Sequence, residues 1–115
     1  MIEMVKKSAI SFQIRIDIQG IEDLINYIKK IKRDNNIQLQ IVYLDKNKNF
    51  EIELNEDVWN ISINDEFIKL YMDEEELDYL EQRLKDAFTS GYFYPAEICE
   101  RNYKGKNVTL YCEVI

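Results

Sequence analysis

The sequence holds no histidine, one proline, one tryptophan, two cysteines and three glycines among 115 residues. Each scarcity excludes something. Without histidine the chain supplies neither a Ser-His-Asp nor a Cys-His nucleophilic arrangement. It builds no histidine-containing zinc site, and two cysteines fall short of a four-thiolate one. Gly20, Gly91 and Gly105 are too few and too scattered for a P-loop or a GxGxxG dinucleotide fingerprint. Acid–base chemistry would fall to Asp, Glu, Lys or Tyr, and 22 acidic residues make chance carboxylate pairs common. The expectation is therefore a non-enzyme that needs no cofactor. No apolar run approaches membrane-spanning length. Met1–Lys7 (MIEMVKK) contains Glu3, with no apolar stretch after it, so no secretory signal is expected and the chain reads as cytoplasmic.

What is present suits a single domain over residues 1–115. Hydrophobic residues make up 46% of the chain, enough for a core without disulfide or metal staples. Ile10–Ile18 alternates Ile10, Phe12, Ile14, Ile16 and Ile18 with Ser11, Gln13, Arg15 and Asp17, the period of a half-buried strand. Over Gly20–Arg33 the period changes, and Ile21, Leu24, Ile25, Ile28 and Ile31 share one helical face. Acidic Glu22 and Asp23 open that helix, Lys29–Arg33 close it in accord with its dipole, and Asn35 and Asn36 stop it. Strands follow at Ile37–Leu44 and Phe50–Leu54 around a turn at Asp45–Asn49, then at Val58–Ile63 and Phe67–Met72 around Asn64 and Asp65. A second helix starts at an Asp73 N-cap with Glu76 three residues on. It carries Leu77, Leu80, Leu84, Ala87 and Phe88 as its stripe and ends at Gly91. A last hairpin spans Ala96–Arg101 and Val108–Ile115. The order β-α-β-β-β-β-α-β-β predicts an α+β fold, a mostly antiparallel sheet of about seven strands carrying two amphipathic helices. No repeat, linker or low-complexity segment is visible.

Cys99 and Cys112 flank the turn at Asn102–Asn107. A hairpin centred there sets Cys99 opposite position 110, so both cysteines are expected reduced, unpaired and buried. Asp45, Asn47, Asn49, Glu51, Glu53 and Glu56 mimic a calcium loop, but Phe50 stands where that loop requires glycine. A hairpin is the better reading, and no metal is expected.

Charge is unevenly spread. Residues 1–50 carry nine basic and six acidic side chains, whereas residues 51–115 carry six basic and sixteen acidic ones. A solvated surface would suffice to explain this. So would a field that steers a basic partner. The net charge of −7 disfavours nucleic acid as a partner, no membrane partner is expected, and the oligomeric state is open. On the second helix Glu74, Asp78 and Glu81 fall on one ridge with Glu75 beside them. Tyr92, Phe93 and Tyr94 follow the helix, and not all three rings can enter a core, which leaves Tyr92 and Tyr94 as candidate anchors.

Ile, Lys, Asn and Tyr are abundant and Arg is scarce, a bias that fits a low-GC bacterium or its phage. A small, acidic α+β chain without a catalytic motif is similar in profile to bacterial immunity proteins and phage inhibitors. The first expectation is thus a binding protein that occludes a basic toxin or effector through Glu74, Glu75, Asp78, Glu81, Tyr92 and Tyr94. The alternative is a binder of a small nucleotide-like ligand using Trp59, Tyr71 and Arg15. Only four arginines are present, which weighs against it.

Overall fold

A computed structural model describes residues 1–33 and 37–115. In chain order it contains β1 (Ile2–Ser8), β2 (Ser11–Ile16), α1 (Ile18–Ile31), β3 (Leu39–Tyr43), β4 (Lys46–Leu54), β5 (Ile61–Ile63), β6 (Phe67–Met72), α2 (Glu74–Ser90), β7 (Glu97–Tyr103) and β8 (Lys106–Val114). The α+β class is as expected, and the sheet has eight strands rather than seven. The additional strand is β1. It buries Ile2 and Met4, but its alternation is short and gives way to Lys6 and Lys7, which hides it in the sequence.

Several expected strands are shorter at their ends: the one over Val58–Ile63 begins only at Ile61, which leaves Trp59 in a loop, and the one over Ile10–Ile18 is cut to Ser11–Ile16. Ile10 sits in the β1–β2 turn, 60% exposed, and Ile18 belongs to α1. Asp17 ends β2 because its side chain caps the helix, accepting the Gly20 N–H at 2.8 Å. The expected stop at Asn35 and Asn36 lies outside the described residues. At α2 the capping box forms as read: Asp73 accepts the Glu76 N–H at 2.7 Å, and Glu76 accepts the Asp73 N–H at 3.1 Å. Phe88 departs from the expected apolar stripe and is exposed. No described helix is long and apolar enough to cross a membrane.

The β3–β4 turn is tighter than the sequence suggested. Leu44 and Asp45 both take left-handed backbone, φ 52° and 60°, and β4 begins at Lys46. Asn47, Asn49, Glu51 and Glu53 are therefore strung along an extended strand, at about 3.4 Å per residue, with Asp45 in the turn before it, and they do not converge on one ion. The β7–β8 turn repeats this geometry at Lys104 and Gly105, φ 51° and 82°.

The strands run in the order β5-β6-β4-β3-β1-β2-β8-β7, with four antiparallel pairings and three parallel ones. The two edges approach each other. Asn60 bridges Asn102, and the Asn102 N–H donates to the Trp59 carbonyl at 2.7 Å. The sheet thus nearly closes into a barrel. Its buried face and the stripes of both helices form one hydrophobic core.

That order contains an internal two-fold repeat. β1-β2-α1-β3-β4 and β5-β6-α2-β7-β8 are two ββαββ units with the same strand order, β4-β3-β1-β2 and β8-β7-β5-β6. The helix-capping aspartates Asp17 and Asp73 lie 56 residues apart, and the same offset carries buried Ile21, Leu24, Tyr27 and Ile28 onto buried Leu77, Leu80, Arg83 and Leu84. After the helices the offset is 60, which carries Leu44 and Asp45 onto Lys104 and Gly105. The parallel pairs obey both offsets: β2 pairs Ser11 with Thr109, and β6 pairs Phe67 with Asn49. The sequence conceals the repeat because geometry and burial recur while side-chain identity mostly does not.

Candidate protein-binding face

The start of α2 concentrates negative charge. Asp73 is held there as the N-cap, and Glu74 and Glu75 follow in the first turn. The loop leaving β4 brings in Glu56. Asn55 shapes that loop, its side-chain oxygen accepting the N–H groups of Asp57 at 2.8 Å and Val58 at 3.1 Å. Glu56, Asp73, Glu74, Glu75 and Asp78 line a cleft of about 520 Å³. Among the described residues no ion pair reaches Glu56, Glu74 or Glu75. The positive end of the helix dipole makes this crowding tolerable.

The expected acidic ridge is split by the fold. Glu81 is buried between the helices, where it accepts from Lys32 at 2.7 Å and pairs with Lys85 at 3.3 Å. Asp78 also pairs with Lys32. Burial raises the Glu81 carboxyl, but the hydrogen bonds from Lys32 and Lys85 outweigh it and leave the group below its ordinary value. Burial likewise pushes the Lys32 ammonium down, and its bonds to Asp78 and Glu81 more than reverse this. Glu81 therefore joins the helices and is withdrawn from the face, whereas Glu74, Glu75 and the outer edge of Asp78 remain on it.

Tyr92 and Tyr94 are exposed but lie past the C-terminus of α2. The helix of 17 residues, at 1.5 Å per residue, sets them some 24 Å along the axis from Glu74. They do not assemble with the carboxylates. Between them Phe93 turns inward and packs on Arg83, its ring 4.7 Å from the guanidinium.

The loop that supplies Glu56 also carries Trp59, half-exposed, which lines a separate cleft with Glu76 and Arg101. Its ring lies 4.2 Å from the guanidinium of Arg101. Arg101 is 2% exposed and fully engaged. One terminal nitrogen donates to both Glu76 oxygens at 2.6 and 2.7 Å, Nε donates to the Tyr71 carbonyl at 2.8 Å, and the other terminal nitrogen donates to the Glu100 carbonyl at 2.6 Å. Trp59 is thus fixed from beneath by a rigid cation, leaving its other side to solvent. Sequence reasoning missed this because Arg101 looks like a strand's solvent-facing residue. The only tryptophan in the chain, just before a hairpin and three residues from Glu56, was the available signal.

Trp59, Tyr71 and Arg15 do not form a common pocket. Arg15 lies on β2, with three strands between it and β6, which carries Tyr71, and pairs with Glu3 at 3.3 Å. Cys99 sits opposite Leu110, as the hairpin register requires, and both cysteines are free and buried. Burial pushes each thiol up to about 12, so neither is a ready nucleophile at neutral pH. The described residues contain no group of three acidic or sulfur ligands placed to hold a metal. Compared with protein-family models, curated proteins and solved structures, the chain finds no match.

Proposed function

We propose that the protein is a non-catalytic binding protein that recognises a basic protein partner and acts by occluding it, as an immunity protein or inhibitor of a bacterial nuclease toxin or defence effector does. The observation that carries this reading is the cleft at the start of α2, lined by three carboxylates without ion-pair partners among the described residues, with a tryptophan stacked on a buried arginine in the loop that supplies Glu56. Unpaired carboxylates supply the long-range field that speeds association and the charges that replace phosphates in a basic active site. A pre-positioned aromatic loses little side-chain entropy on binding, which suits an interface anchor. Glu56, Glu74, Glu75 and Trp59 are the contact residues of this reading. Asp78 is shared with Lys32, and Glu81, Tyr92 and Tyr94 fall outside it.

The test is capture from the native host followed by inhibition of the captured protein. A basic effector should bind with an on-rate that falls steeply as salt rises, and its activity should be blocked at equimolar protein. Reversing Glu56, Glu74 and Glu75 to Lys should weaken binding by at least tenfold. Folding should change little, because relief of acidic crowding offsets the roughly 0.3–1 kcal/mol lost per charge at the helix start. A folded triple variant that binds and inhibits like the parent protein would refute the proposal.

A further inference from the structure

The internal repeat supplies a comparison that the rest of the surface does not. A cleft of about 620 Å³ opens between the end of α1 and β4, lined among others by Tyr27, Ile31, Gln38, Glu51, Ile52 and Lys69. The offsets of the repeat set Tyr27 against Arg83, Ile31 against Ala87 and Ile52 against Cys112. In the second unit this region is filled from within the chain. Arg83 donates to the carbonyls of Pro95 at 3.0 Å and Glu97 at 2.5 Å, and the buried ring of Phe93 packs on its guanidinium. The Phe93 plug exists because the path from Ala87 to Cys99 is four residues longer than the path from Ile31 to Leu39.

The first unit lacks that insertion. Tyr27, in the place of Arg83, accepts the Ile52 N–H on its hydroxyl at 2.9 Å, and no described side chain takes the position of Phe93. The rim is negative on balance. Lys69 stands 3.6 Å from Glu51 and 3.7 Å from Glu53, one ammonium against two carboxylates. Ile31 lines the cleft, and the next residue, Lys32, holds Asp78 of the acidic face.

We propose that this cleft receives an aromatic side chain of the basic partner, with a neighbouring lysine or arginine set against Glu51 and Glu53. The proposal rests on the reading of the protein as a binder of a basic protein, and adds a second anchor point to it. The ring stands where Phe93 stands in the other unit. Its cationic neighbour explains why the rim carries an excess carboxylate.

Three probes separate the possibilities by amide NMR: acetyl-Lys-Phe-Lys-amide, acetyl-Lys-Ala-Lys-amide and phenethylamine. The phenylalanine peptide should shift Tyr27, Ile52 and Lys69 saturably and bind at least fivefold more tightly than the alanine peptide. Gln38→Trp, a change at an exposed lining residue, should fill the cleft and abolish those shifts in a folded protein. Equal binding of the alanine peptide, or shifts that survive in Gln38→Trp, would overturn the proposal. Phenethylamine binding as tightly as the peptide would overturn the partner side chain as occupant in favour of a free amine. Either failure leaves the acidic face to be judged by Glu56, Glu74 and Glu75 and the salt dependence of partner capture.

Discussion

Gly20 lies inside α1, where glycine ordinarily costs about 1 kcal/mol relative to alanine. Here the missing side chain is required. A Cβ at Gly20 would lie 2.5 Å from the Met1 carbonyl oxygen, 2.7 Å from Ile16 Cγ1 and 2.9 Å from Ile2 Cγ1. The first of these is backbone and cannot rotate away. Gly20→Ala should therefore destabilise the protein by roughly 1–3 kcal/mol, the range for overpacking, instead of gaining helix propensity. Urea denaturation measures this directly, and a stabilised variant would mean that β1 yields easily. From sequence alone Gly20 marks the helix boundary, because glycine is a poor helix former. Its packing role was illegible without β1, and β1 itself was missed. The counterpart in the second unit is Glu76, which has room for a long side chain and uses it to bind Arg101.

At the scale of elements, the apolar stripes were readable and the polar joints between them were not. Period alone located Leu77, Leu80, Leu84 and Ala87, all buried. Period also favoured Phe88, which the structure exposes, and gave no sign that Glu81 or Arg83 would be buried. A buried ion is only found by knowing its partner, and Lys32 lies 49 residues before Glu81 in the chain. Lys32 at the end of α1 meets Asp78 and Glu81 in the first half of α2, and Glu22 near the start of α1 shares a cleft with Lys85 and Phe88 near the end of α2, so the helices pack antiparallel. The pH behaviour follows from the sign of the shifts. The folded Glu81 carboxyl lies below its ordinary 4.5, so its contribution is present above 4.5 and lost as pH falls through the lowered folded value. The folded Lys32 ammonium lies above its ordinary 10.5, so its contribution is complete below 10.5 and lost as pH rises through the raised folded value. Glu81→Gln should cost about 1.5–3 kcal/mol at neutral pH, the range for hydrogen bonds to charged groups. The parent protein should lose stability in urea melts as pH falls below 4.5, and the variant should lose part of that sensitivity. Parallel pH profiles for the two proteins would remove Glu81 from this role.

For the whole molecule, the succession of strands and helices was legible because each element carries its own period, whereas the near-closure of the sheet and its two-fold repeat were not. Both depend on pairings between distant strands, and no local pattern records that β2 pairs with β8 or β4 with β6. The candidate face divided in the same way: acidic Glu74 and Glu75 stood out in sequence, while Trp59 acquires its meaning from Arg101. The repeat also exposes where the barrel is weakest. The two units offer equivalent parallel seams, and they differ in extent. β1 and β3 pair through Glu3 with Val42 and Met4 with Tyr43, whereas among the described residues the β5–β7 seam is closed by the Asn60–Asn102 bridge at the entry to β5. Local opening follows low contact density and few protected hydrogen bonds, so the β5–β7 seam should open first. Hydrogen exchange should show the amide of Asn102, which donates across that seam, protected less than those of Met4 and Tyr43 by at least tenfold. Trp59 reports the same event optically, since its carbonyl accepts the Asn102 N–H and its ring rests on Arg101. As the sole tryptophan, it should change emission at urea concentrations below the midpoint of the far-ultraviolet circular dichroism transition. Coincident transitions together with equal protection at the two seams would show instead that the barrel opens as one cooperative unit.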